Sequence, residues 1–133
     1  MSLVERIRKA KKVLLIGNGG SYANAVHICN DLLACGIAAY TLDPATLTAS
    51  ANDYGYETVF ARWIKVVGER GDLLIALSGS GLSKNITRAL GLAKRIGMDA
   101  ELVTDFLRTL DMQQSEEAQL TLGHAWMKCL KKN

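Results

Sequence analysis

A chain of 133 residues can hold one domain with a real core and is too short for two. Hydrophobic residues make up 49% and charged residues 22%, the balance of a soluble globular protein, and the net charge is only +3. The basic clusters "RIRKAKK" (Arg6–Lys12) and "KCLKK" (Lys128–Lys132) lack interleaved aromatic residues, so they read as solvated helix faces rather than a nucleic-acid footprint. No apolar run approaches a membrane span, and the charged start does not resemble a signal peptide, so the expected compartment is the cytoplasm with no membrane partner. The three cysteines, Cys29, Cys35 and Cys129, are odd in number and two of them fall on one predicted helix, which excludes a disulfide framework.

In chain order, the S-x-x-E pattern of Ser2 and Glu5 predicts a capped helix from Leu3 to about Lys11. Val13–Ile16 reads as a buried parallel strand. After "GNGGS", Ser21 is placed to cap a helix from Tyr22 to about Cys35, which Gly36 ends. Ile37–Leu42 reads as a second strand, and Asp43-Pro44 as an N-cap with proline at the first helical position. "NDYGY" (Asn52–Tyr56) reads as a loop, Glu57–Val67 as a helix and Leu73–Leu77 as the third strand. "SGSGLS" (Ser78–Ser83) is a second small-residue loop, followed by a helix over Lys84–Ile96 and a strand over Met98–Thr104. Asp105–Gln114 is ambiguous, with a short helix as one option, and Ser115 is expected to cap a final helix to about Lys131. Short apolar strands alternating with helices predict an α/β domain over residues 1–133. Its form is a three-layer αβα sandwich with a mostly parallel sheet of about four strands.

Both small-residue loops follow a strand and precede a helix. Ligands of open α/β sheets bind at the carboxyl ends of the strands, and helix N-termini favour anions. Serine hydroxyls at Ser21, Ser78, Ser80 and Ser83 add donors, so phosphate is the natural guest, although tight turns with serine caps would show the same pattern. Neither loop is a P-loop, and Tyr22 stands where a dinucleotide fingerprint requires its third glycine. Asp43 at the end of the second strand keeps a nucleotide-binding unit open, but that reading leaves "SGSGLS" without a role. His27 and Asp31 stand four apart on one helix face, a spacing that serves a metal chelate or a simple ion pair.

"GNGGS", the H-x-x-x-[acid] helix and "ANDYGYETVFARWIKVVGERGDLLIALSGSGLSKNI" together resemble the SIS (sugar isomerase) domain family, and within it the phosphoheptose isomerases. The resemblance implies that Asn18, Gly19, Ser21, Asn52, Asp53, Ser78, Ser80 and Ser83 bind a sugar phosphate. It implies that His27 is a metal ligand and that Asp31, standing for the family's glutamate, binds metal and acts as base. His124 matches the family's second catalytic, metal-binding histidine, and Glu116, which stands where the family has a glutamine, is expected at the metal site with them. Zinc, a homo-oligomer (dimer or tetramer) with sites between subunits, and a phosphorylated sugar as partner are implied with them. Glu116 and His124 lie about 12 Å apart along a continuous helix, so both meet one ion only by reaching toward its middle or if the last helix starts after Glu116. The implied activity is aldose–ketose isomerisation of a sugar such as sedoheptulose 7-phosphate, with Asp31 as base and His124 as acid. A non-catalytic phosphosugar sensor or interaction scaffold is the alternative.

Overall fold

The structure, a computed structural model of the chain, describes residues 1–104 and 111–131. Helix α1 (Leu3–Lys9) is closed by the capping box read from Ser2 and Glu5. Strand β1 (Val13–Gly17) feeds α2 (Gly20–Ala34), and β2 (Ala39–Thr41) feeds α3 (Pro44–Tyr54). A 3₁₀ turn (Tyr56–Thr58) leads into α4 (Val59–Val67), then β3 (Leu73–Leu77), α5 (Lys84–Arg95), β4 (Asp99–Val103) and α6 (Met112–Lys131). All four strands are parallel, in the order β2-β1-β3-β4.

The expected α/β sandwich is the architecture observed. Alternation along the strands sends Val13 and Leu15 of β1 and Leu73, Ile75 and Leu77 of β3 toward a core with α1, α2 and α6. Leu14, Ile16, Leu74 and Ala76 point the other way, against Phe60 and Ile64 of α4 and Ile86, Ala89 and Ala93 of α5. Both faces are covered, so β1 and β3 are buried at every residue and read as unbroken apolar runs rather than alternating ones. The strand order reverses at β1: the chain leaves it toward β2 and returns to its other side as β3. Helix α2 packs on one face and α5 on the other, so a crevice opens between the carboxyl ends of β1 and β3. "GNGGS" and "SGSGLS" flank that crevice.

Three local expectations are corrected. Ser21 does not cap α2: Gly19, at φ 55°, is the N-cap, without a side-chain capping bond, and Ser21 sits inside the first turn, buried. Residues Asn52–Tyr54 are not loop, because α3 runs through them and the chain leaves the helix only at Gly55. Ser115 does not cap α6. Asp111 and Gln114 exchange backbone-to-side-chain hydrogen bonds of 2.7 and 3.0 Å, so the helix starts at Met112 and Ser115 is buried in its first turn. The ambiguous segment falls partly outside the described residues.

Helices α2 and α6 run side by side in the same direction. Gly20 faces Glu116, Ser21 faces Gln119, Ile28 faces Gly123 and His27 faces His124. Gly123 permits this: a Cβ there would lie 2.6 Å from Ile28 Cγ1. No helix among the described residues is long and apolar enough to cross a membrane.

Candidate functional site

The crevice between β1 and β3 holds a cavity of about 70 Å³ lined by Asn18, Ser21, Leu77, Ser78, Gly79, Ser80, Ser83 and Met112. Five of the expected binding residues therefore meet around one small space. The two loops are tied across it by the amides of Asn18 and Asn85, each donating Nδ2 to the other's Oδ1 at 2.9 Å. Tyr56 donates its hydroxyl to Asn18 Oδ1 at 2.7 Å. Within the second loop, Ser78 Oγ accepts from the Gly81 N–H at 3.0 Å and Ser80 Oγ from the Leu82 N–H at 3.1 Å. A hydroxyl that accepts from the backbone keeps its proton for a guest. Ser83 is the N-cap residue of α5 but makes no side-chain capping bond, and the first-turn N–H groups of α5 begin beside it.

Gly19 stands at the start of α2 with open space beside its Cα. Asn52 and Asp53 lie at the exposed carboxyl end of α3, hydrogen-bonded to each other at 3.1 Å, and neither lines the cavity. Nothing in the sequence marks Asn85 and Tyr56, although both lie inside the segment that carries the resemblance. Neither fits a motif by spacing, and only the fold brings them to Asn18.

A second cluster lies farther along α2. His27 Nε2 and His124 Nε2 are 3.2 Å apart, and Asp31 Oδ2 is 3.4 Å from the first and 3.8 Å from the second. Asp31 Oδ2 is buried with no hydrogen-bond partner. Two imidazole nitrogens and an orphaned carboxylate oxygen thus converge, the only described group of three such residues with this closeness. Tetrahedral zinc with bonds of about 2.0–2.1 Å has ligand–ligand edges of roughly 3.3–3.4 Å, so this donor set fits such an ion. Glu116 stands apart from it. Because α6 already begins at Met112, Glu116 lies two turns before His124, and its carboxylate rests against Gly20, where a Cβ would be 1.5 Å from Oε2.

From Ser21 to His27 is about 9 Å along α2, and to Asp31 about 15 Å. An anion seated in the cavity and a reacting centre at the cluster would be held at opposite ends of an extended molecule.

The SIS domain family model matches residues 1–103. The chain belongs to this family. A phosphoheptose isomerase of Akkermansia muciniphila is 42% identical over 108 residues, which cover 75% of this chain and 57% of that protein. One from Thermodesulfovibrio yellowstonii is 33% identical over an alignment covering 92% of this chain and 72% of its own. The chain spans little more than half the length of the first of these relatives. The solved structure of phosphoheptose isomerase GmhA from Neisseria gonorrhoeae superposes with a TM-score of 0.89 at 27% identity, covering 98% of this chain and 82% of that one. The SIS fold therefore extends through α6, beyond the residues that the family model matches.

Proposed function

We propose that this chain is a phosphosugar aldose–ketose isomerase acting on an open-chain sugar phosphate such as sedoheptulose 7-phosphate. The observation that carries the proposal is the pairing of a serine-lined cavity at the start of α2 with a cluster formed by His27 and Asp31 farther along that helix and His124 of the neighbouring α6. The similarity to phosphoheptose isomerases supports it. The separation of the two sites suits a hexose or heptose phosphate lying along α2 better than a triose phosphate.

The phosphate group would sit among Ser21, Ser78, Ser80 and Ser83 beside the N-termini of α2 and α5, where hydroxyls and helix dipoles favour an anion. That binding holds the other end of the sugar at the cluster and contributes position rather than chemistry. Asp31, as the carboxylate, would remove the proton from the carbon next to the carbonyl, and His124 would deliver a proton to the carbonyl oxygen. His27 Nε2, Asp31 Oδ2 and His124 Nε2 would hold a zinc ion, which leaves Asp31 Oδ1 and the His124 Nδ1–H for those proton steps; the ion, when bound, supplies Lewis-acid polarisation of the substrate oxygens. Asn18, anchored by Asn85 and Tyr56, keeps the first loop in place as the sugar binds.

The homo-oligomer belongs to the same proposal. Val26, Leu33 and Leu122 are 44%, 52% and 40% exposed on the two helices that carry the cluster. A second copy covering them would also shield His27 and His124 from bulk water. A cytoplasmic location accords with this activity.

The test is an isomerase assay on a panel of sugar phosphates with and without added zinc. Turnover of a heptose or hexose phosphate that depends on His124 supports the proposal. Phosphosugar binding without turnover on any member of the panel would favour the sensor reading instead.

A further inference from the structure

Gln119 is a buried amide that the reaction described above does not use. It is 4% exposed on α6 and faces α2. Its Nε2 lies 3.1 Å from Ser21 Oγ, and its Oε1 lies 3.0 Å from Asn24 Nδ2. Asn24 Nδ2 is also 2.8 Å from the backbone carbonyl of Glu116.

The direction of every bond in this chain follows from its far end. A backbone carbonyl can only accept, so the Asn24 atom facing Glu116 must be the amide nitrogen. That nitrogen carries two protons, and the second goes to Gln119. The Gln119 atom facing Asn24 must then be its oxygen, since two amide nitrogens would present donor to donor. The Gln119 nitrogen is left facing Ser21, and Ser21 Oγ accepts. The Ser21 hydroxyl proton is therefore not used toward α6, and among the described residues it has no acceptor. Ser21 is itself 5% exposed, and it lines the 70 Å³ cavity. A hydroxyl that accepts one hydrogen bond also donates a stronger one.

We infer that Gln119 is a positioning residue for anion binding: through Asn24 and the Glu116 carbonyl it fixes the Ser21 hydroxyl with its proton directed into the cavity. The inference rests on the phosphate reading of that cavity. It adds a determinant one hydrogen bond behind the cavity wall, on an element outside the two serine loops.

The experiment is a double-mutant cycle read by calorimetric titration of the full chain with inorganic phosphate and with sedoheptulose 7-phosphate. The variants are Ser21→Ala, Gln119→Met and the pair. Methionine keeps the volume and removes the amide. Each single change is expected to weaken binding about tenfold or more, and the pair no further than Ser21→Ala alone, because Gln119 acts through Ser21. A purely structural role would instead give losses that multiply, and that result, or unchanged affinity in Gln119→Met, overturns the inference while leaving the phosphate reading intact. Should Gln119→Met fail to fold, Gln119→Glu keeps the shape. Its carboxylate accepts from both Asn24 and Ser21, which turns the hydroxyl proton away from the cavity, so affinity should fall at least as far. Full affinity in Gln119→Glu overturns the inference as well. A wild-type protein that binds neither probe overturns the phosphate reading and this inference together.

Discussion

His27 Nε2 and His124 Nε2 face each other at 3.2 Å across two helices that run in parallel. Without a shared ion, one ring donates to the other, and the buried Asp31 Oδ2 beside them makes no hydrogen bond. With one, all three atoms are satisfied at once. Purified protein should therefore take up about one zinc per chain, and His124→Ala or His27→Ala should lose most of it. Metal analysis after dialysis against zinc and then buffer reads this directly. Undiminished zinc in both variants would place the ion elsewhere.

Asn85 is the buried tie between the loops, 3% exposed and doubly bonded to Asn18. Asn85→Ala leaves Asn18 Nδ2 without that partner and opens a small hole, at a cost of about 1–3 kcal/mol. Chemical denaturation should show a lower midpoint, and phosphate affinity should drop with it, because the first loop is no longer registered on the second. A destabilised variant with unchanged affinity would mean the tie serves the fold alone.

These two predictions show what was legible in the sequence. The strands β1 and β3 and the two loops were readable because a doubly covered strand has a continuous apolar pattern and each loop interrupts it with glycine and serine. Asn85, Tyr56 and Gln119 were not, because each acts through a partner far away in the chain, and no local spacing marks it. The start of α6 was misplaced for a similar reason. Ser115 has the chemistry of a cap, but Asp111 and Gln114 close the helix one turn earlier and Ser115 is spent on packing. The resemblance puts Glu116 with the metal ligands, whereas the start of α6 at Met112 brings its carboxylate over Gly20.

Arg6 secures the edge of the sheet. It pairs with Asp99 at 2.8 Å and with Glu101, and donates to the Ala100 carbonyl at 3.1 Å. The Arg6 hydrogen bonds hold the Asp99 carboxyl below the ordinary carboxylate range. A depressed carboxyl adds stability above its unfolded value of about 3.9 and loses it as pH falls through the lower folded value. The Asp99 side chain is 50% exposed, so solvent screening keeps the effect small. Arg6→Ala should lower the melting temperature modestly at pH 7, and the difference from wild type should shrink as the pH is taken down through the acid range. A gap that widens with acid would contradict this.

The exposed Leu33 and Leu122 give the oligomer its test. Light scattering at micromolar concentration should find a dimer or tetramer, and Leu33→Glu should shift it toward monomer, since a charge buried in an apolar contact is costly. A wild-type monomer would leave these side chains simply as solvent-exposed surface.

Asp31 is proposed to move a proton on a sugar whose phosphate is held in the serine cavity. Isomerisation through an enediol lets the abstracted proton exchange with water. The deciding measurement is proton NMR of sedoheptulose 7-phosphate incubated with the zinc-loaded protein in deuterium oxide. We expect deuterium at the carbon beside the carbonyl together with the isomer, with both lost in Asp31→Asn. Asp31→Glu should be faster than wild type, because the longer side chain brings the carboxylate nearer the carbon, and a shift of about 1 Å is worth on the order of a hundredfold in rate. Binding of the sugar phosphate with neither deuterium incorporation nor isomer, in wild type and in Asp31→Glu alike, would contradict the account.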